Sequence, residues 1–163
     1  MENPPKGQAG QRIGPGPALH LRVYPDAVLR TLCRPVDRFD TWLADVVAEM
    51  RAVMRTSRGI GLAGPQVGIA QRLFVAEIDR QSLCVVNPVI LARCGSERMV
   101  EGCLSLPGVQ VDVQRDRQVE VQGYDAHGCR CRHQLEGLWA RVVQHEIDHL
   151  NGVLICDKAQ QNI

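Results

Sequence analysis

The sequence predicts an α+β domain, and three features carry that prediction. A helical stripe of apolar residues begins near Thr41, and a second helical pattern runs from about Leu138 to Leu150. Between them, from Arg72 to Leu135, the pattern changes to short β-type runs. Strands grouped between two helices argue against alternating βαβ units and a parallel sheet. A length of 163 residues suits one domain that can bury a core without disulfide staples.

Taken in order, residues 1–18 are rich in Pro and Gly and read as a disordered tail, with a single folded domain over 19–163. Turn signals at Tyr24-Pro25-Asp26 and Arg34-Pro35 predict an irregular leader with one short helical turn. The first helix takes Asp40 or Thr41 as N-cap and shows the stripe Leu43, Val46, Val47, Met50, Val53, Met54 at a period near 3.6. Glycine-rich GIGLAGPQVG ends it. The runs RLFVAEI, SLCVVNPVI, RQVEVQGYD and RCRHQLE read as strands, with turn chemistry at Asn87-Pro88 and His127-Gly128. Asn151-Gly152 closes the last helix.

Composition narrows the function classes. A formal net charge of +1 gives no electrostatic case for nucleic acid or a membrane surface. No apolar run approaches the roughly 18 residues of a membrane span. The N-terminus lacks the apolar core of a secretory signal, and its early Glu2, prolines and glycines suit no organellar transit peptide. A cytoplasmic protein is the expectation. Seven cysteines, an odd number in scattered positions, read as reduced thiols. Cys129, Cys131 and His133 lack a second half that would complete a zinc ribbon, so Cys129 and Cys131 read as two thiols on a strand.

The chemistry concentrates in QHEIDH, Gln144 to His149. On a helix His145 and His149 share a face, one turn apart, and two such imidazoles can hold one metal ion. Glu146 between them can work on a water. Two surface or core histidines that merely fall at this spacing are the plainer alternative. A catalytic site of this kind needs a third protein ligand. Cys103 in EGCLSLPG is a candidate, at a loop or strand end; a buried core thiol fits the same residue, and spacing does not choose. GIGLAGPQ, Gly59 to Gln66, is either a tight turn or a loop lining a substrate, with Gln66 as a donor. It lacks the Lys-Ser/Thr tail of a phosphate loop.

Together GIGLAGPQ, EGCLSLP and QHEIDH, in that order and at those separations, closely resemble the three signature motifs of the peptide deformylases. The resemblance covers the chain from about Leu19 to Ile155. It implies antiparallel strands around a central helix that bears HEIDH, and metal-dependent removal of the formyl group from the N-formylmethionine of new polypeptides, releasing formate. It makes Cys103 the third ligand beside His145 and His149, with Fe²⁺ in the cell and Ni²⁺, Co²⁺ or Zn²⁺ able to substitute. Glu146 would move the water's proton to the leaving amine. Gln66 and the Leu104 backbone N–H would face the developing oxyanion, and Glu101 would orient a ligand. Gly59, Ile60 and Gly61 would meet the peptide, Arg115 would contact it, and Ile60, Leu138 and Val142 would take the methionine side chain.

Some positions depart from the family pattern. Gly64 stands where alanine is more usual, and Gln110 where some members carry arginine. The chain ends at Ile163, 14 residues after His149, without the long C-terminal helix by which many bacterial members dock on the ribosome. A monomer, associating with the ribosome only transiently and by another route, is the expectation. A small metalloprotease would use the same helix with a third His or Glu; a copper carrier would have no use for Glu146.

Overall fold

A computed structural model describes residues 18–159. The expected tail at 1–18 lies outside that range except for Ala18. The leader from Ala18 runs extended and makes a single 3-10 turn at Ala27–Arg30, where Asp26 accepts from the Val28 N–H at 3.0 Å. Helix α1 spans Thr41–Thr56, and the expected cap at Asp40 accepts from the Leu43 N–H at 3.2 Å.

Seven strands follow: β1 Gly61–Ala63, β2 Leu73–Ile78, β3 Gln81–Cys94, β4 Glu97–Cys103, β5 Leu106–Arg115, β6 Gln118–Tyr124 and β7 Arg130–Glu136. Helix α2 spans Gly137–Leu150, and the short α3 spans Ile155–Ala159. Five strands form one antiparallel sheet in the order β1-β2-β3-β6-β7, while β4 and β5 pair only with each other.

The parity of the strands explains how the sheet is packed. Successive side chains on a strand point to opposite faces. Leu62, Leu73, Val75 and Val86 face one way, into a cluster with Leu43, Val46, Met50 and Met54 of α1. Ala63, Phe74 and Val85 face the other, against Ala140, Val143, Ile147 and Leu150 of α2. Both faces are therefore covered by a helix. This is why RLFVAEI reads as a continuous apolar run and not as an alternation. A third cluster joins Leu29, Leu106, Val113, Leu154 and Ile155, and seats the β4–β5 hairpin on α3 and the leader. Helix α2 is central, as the resemblance implies, and is buried even along much of its polar surface.

Two expectations need correcting. Asn87-Pro88 is not a turn between strands. It lies inside β3, where the register to β6 shifts between Val86 and Val89. Proline has no N–H to give a ladder, so it sits at the bulge. Asn87 takes φ 52° there, and its side chain bonds both backbone groups of Val36, each at 2.8 Å. Strands β1, β4 and β5 are additions to the expected set. The β4–β5 residues are mostly exposed, so no steady apolar alternation marks them. His127-Gly128 is a turn as expected, closed by Asp125, which accepts from the His127 and Cys129 N–H groups.

Asn87→Ala removes two hydrogen bonds and puts a Cβ-bearing residue with no local bond at positive φ. A loss of about 3 kcal/mol is expected by urea denaturation. Asn87→Gly should recover about 1 kcal/mol of it. Equal losses in the two variants would rule out a backbone contribution.

Candidate active site

Helix α2 places His145 and His149 one turn apart, with their Nε2 atoms 3.2 Å from each other. Cys103 stands at the end of β4, and its Sγ lies 3.3 Å from His149 Nε2. The register shifts between Glu101 and Cys103, and Cys103 then pairs with Leu106 across the turn through Leu104 and Ser105. The three donor atoms all lie within 4.8 Å of one another. Among the described residues no other such group of His, Cys, Asp or Glu forms. One sulfur and two imidazole nitrogens converging in this way match the donor set that holds a divalent ion of the zinc or iron kind.

Glu101, two residues before Cys103, also reaches α2. Its Oε2 lies 3.0 Å from His145 Nδ1, which makes Nδ1 the protonated nitrogen and leaves the Nε2 lone pair aimed at the cluster. Arg115 holds the same carboxylate through Nε at 2.6 Å and Nη2 at 2.9 Å, and Arg141 through Nη1 at 2.7 Å. Burial pushes the Glu101 carboxyl up, but hydrogen bonds from His145 and Arg115 outweigh it and bring it down to about 2. Burial likewise pushes His145 down, while Cys103 and Glu101 lift it to about 10. This site therefore favours positive charge at His145 Nε2, which a metal ion supplies in place of a proton. His149 is driven well below its ordinary value, first by burial and then by the His145 charge. It stays neutral and ready to ligate.

Glu146 is 3% exposed, and its Oε2 has no partner among the described residues. Burial raises its carboxyl to about 7, against the opposing charges of His145 and Arg115. The close approach of β1 makes a glycine necessary at Gly61: a Cβ there would lie 2.9 Å from Val142 Cγ1 and would overlap the Glu146 carboxylate. Gly64, where the family more usually has alanine, is also tightly enclosed. A Cβ at that position would stand 2.7 Å from the carbonyl oxygens of both Ile69 and Gln71. Gln66 is 1% exposed. The Ala63 N–H donates to its Oε1 at 2.9 Å, which turns Nε2 toward Ser105 Oγ at 3.2 Å and Cys103 Sγ at 3.7 Å.

These groups open onto a cleft of about 620 Å³. Gly59, Ile60, Gly61, Gln66, Leu104, Leu138 and Val142 all line it with Cys103, His145 and Glu146, so the sequence reading put them in one place. Two expected site residues do not line the cleft: His149, buried at 1% exposure, and Arg115. Arg115 is 6% exposed, and Glu101 and Asp148 (2.8 Å) hold its guanidinium. Its expected contact with the peptide is thus corrected to an internal ion pair. Met99 and Arg141 are among the cleft residues that the sequence reading did not assign to the site. Met99 lies on a strand that was not predicted. Arg141 was visible in principle, as an arginine one turn before His145 on a helix face with apolar neighbours. Cys129 and Cys131 join no metal cluster; Cys131 lies in β7 and Cys129 just before it.

The family described as polypeptide deformylase matches residues 18–162. A peptide deformylase of Thermotoga neapolitana is 45% identical over 139 residues, 85% of each chain. The crystal structure of peptide deformylase from Thermotoga maritima superposes with a TM-score of 0.84 at 42% identity, covering 86% of this chain and 96% of that one. The Synechococcus elongatus peptide deformylase, crystallised in complex with actinonin, gives 0.85 at 40% identity, covering 92% and 84%.

Glu101 carries a prediction about pH. Its folded value of about 2 lies below the ordinary 4.5, so its stabilising contribution is complete above 4.5 and is lost as pH falls toward 2. In the metal-free protein Glu101→Gln should cost about 3–5 kcal/mol near neutrality, because buried Arg141 loses its carboxylate partner and Arg115 keeps only Asp148. Urea melts at about pH 7, 4.5 and 3 should show that gap narrowing below 4.5. A gap of constant size would show that the charge is not what matters.

Proposed function

Because the chain belongs to the polypeptide deformylase family, we propose that its site hydrolyses the formamide of N-formylmethionyl peptides to formate and a free amine. The observation that carries this reading is the Cys103, His145 and His149 cluster beside the buried carboxylate of Glu146, whose Oε2 has no partner among the described residues. Cys103 Sγ and the two Nε2 atoms would hold one divalent ion, Fe²⁺ in the cell. When bound, that ion supplies Lewis acidity, polarising a carbonyl and acidifying a water.

The protein's own groups do the rest. Glu146 accepts the proton of the attacking water and passes it to the departing amine nitrogen as the C–N bond breaks. Its burial keeps competing water away, and Gly61 leaves room for the carboxylate beside the peptide backbone. Gln66 Nε2 and the Leu104 N–H donate to the formyl oxygen as negative charge grows on it, each contributing about 3 kcal/mol. The Ala63 bond to Gln66 Oε1 fixes that amide before substrate arrives, so no reorientation is needed. Gly59 to Gly61 pair with the peptide backbone as an added strand. Ile60, Leu138 and Val142 accept the methionine side chain, whose length and lack of charge suit an apolar wall. Nascent chains in the cytoplasm are the source of such substrates in this reading.

Glu146→Ala should retain metal and lose roughly 10²- to 10⁴-fold in formate release from formyl-Met-Ala-Ser. Metal content is assayed in parallel, and a rate equal to wild type ends this mechanism. Protein loaded with Fe²⁺ should lose activity in air and keep it under nitrogen, since a thiolate ligand is open to oxidation. Equal lifetimes in the two atmospheres would count against ferrous iron.

A further inference from the structure

The three clustered donors stand on two separate bodies. Cys103 ends β4 of the two-stranded sheet, whereas His145 and His149 ride on α2, which packs on the five-stranded sheet. Among the described residues no strand ladder joins those sheets. Apart from the short chain connections to β3 and β6, side chains tie the hairpin to α2 and so bear on the gap between thiol and imidazoles.

Arg141 spans that gap. It lies one turn before His145 on the same face of α2 and is 5% exposed. Its Nη1 donates to Glu101 Oε1 at 2.7 Å and to the Val113 carbonyl at 3.0 Å, and its Nη2 to the Glu97 carbonyl at 2.8 Å. Glu97 and Glu101 belong to β4 and Val113 to β5. One guanidinium from the helix thus grips both strands of the hairpin that presents Cys103. The charge of Glu101 is already matched by Arg115, which doubly engages it. Neutralisation does not require Arg141, and what it adds is geometry. Arg141 adds a second donor to Glu101 Oε1, while the other oxygen, which also accepts from Arg115 Nη2, faces His145 Nδ1. A planar fork suits three acceptors spread over two strands; an ammonium, as a point donor, does not.

We propose that Arg141 is a positioning residue: it clamps the β4–β5 hairpin onto α2, sets the spacing of Cys103 from the two histidines, and so fixes how tightly the metal ion is held. This rests on the metal-site part of the function proposed above. Arg115, which ties β5 to Asp148 of α2, provides a second link, so loss of the clamp leaves the fold in place.

The test uses metal-free wild type, Arg141→Met and Arg141→Lys, titrated with Co²⁺. Affinity is read by competition with a chelator, and coordination by the thiolate charge-transfer and d–d bands. Thermal midpoints are taken with and without Co²⁺. Arg141→Met should fold, bind Co²⁺ roughly tenfold or more weakly, and show shifted bands; Arg141→Lys should fall between it and wild type. Unchanged affinity and bands, with equal losses of thermal midpoint in both forms, would reduce Arg141 to a structural residue and overturn the proposal. If Arg141→Met does not fold, Arg141→Lys decides, and a lysine variant indistinguishable from wild type overturns it. No formyl peptide is involved, so a failed deformylation assay leaves this result standing. A wild type that takes up no Co²⁺ overturns the metal site and this proposal together.

Discussion

Glu101 is the group on which the site's geometry depends. A carboxylate that deep costs several kcal/mol in lost hydration unless positive partners surround it. Here Arg115, Arg141 and His145 do so, and against burial the hydrogen bonds and charges of His145 and Arg115 win clearly enough to hold the carboxyl near 2. Glu101 belongs to β4, Arg115 to β5, and the other two to α2. A single anion therefore gathers three elements that share no ladder with the main sheet. The same anion fixes the tautomer of His145. Holding the fold together and aiming the imidazole are one electrostatic arrangement.

Helix α2 shows how polar groups are kept in a crowded place. It is covered by the five-stranded sheet on one side and reached by the hairpin on the other, so its polar residues need partners of their own. Gln144 finds them in the backbone: its Oε1 accepts from the Asp116 N–H at 3.0 Å, and its Nε2 donates to the Asp116 carbonyl at 2.8 Å. The side-chain amide takes the place of a neighbouring strand there. Asp148 holds Arg115 and Lys158. Glu146 alone keeps an unmatched buried oxygen on this helix, and it opens onto the cleft. Among the described residues His149 Nδ1 is the other buried polar atom of this helix without a partner, so the polar groups left open here belong to the catalytic cluster itself.

The legible parts of the sequence were those set by local spacing. His145 and His149 were readable because i and i+4 share a face whatever else surrounds the helix, and Asp40 because a cap acts on the turn beside it. Strands β4 and β5 were not, because solvent and the cleft leave few of their residues steadily buried. Asn87-Pro88 carried a true signal of broken backbone regularity, but the break is a bulge held by Val36, 51 positions away. Arg115 shows the limit of a resemblance: it put the residue near the substrate, and the partners that hold it, Glu101 and Asp148, are distant in sequence. Arg141 is similar. Its place on the helix face could be seen, while the two carbonyls it binds could not.

The free edge of the five-stranded sheet at β1 is only three residues long, Gly61–Ala63, and Pro65 follows two residues on. An extended segment of that length reaches about 10 Å. Any chain laid along this rim is registered over little more than one pleat, after which its backbone must look to solvent. The same shortness denies a second copy of the protein a rail on which to stack, so an edge left open at the site does not become a seed for fibrils.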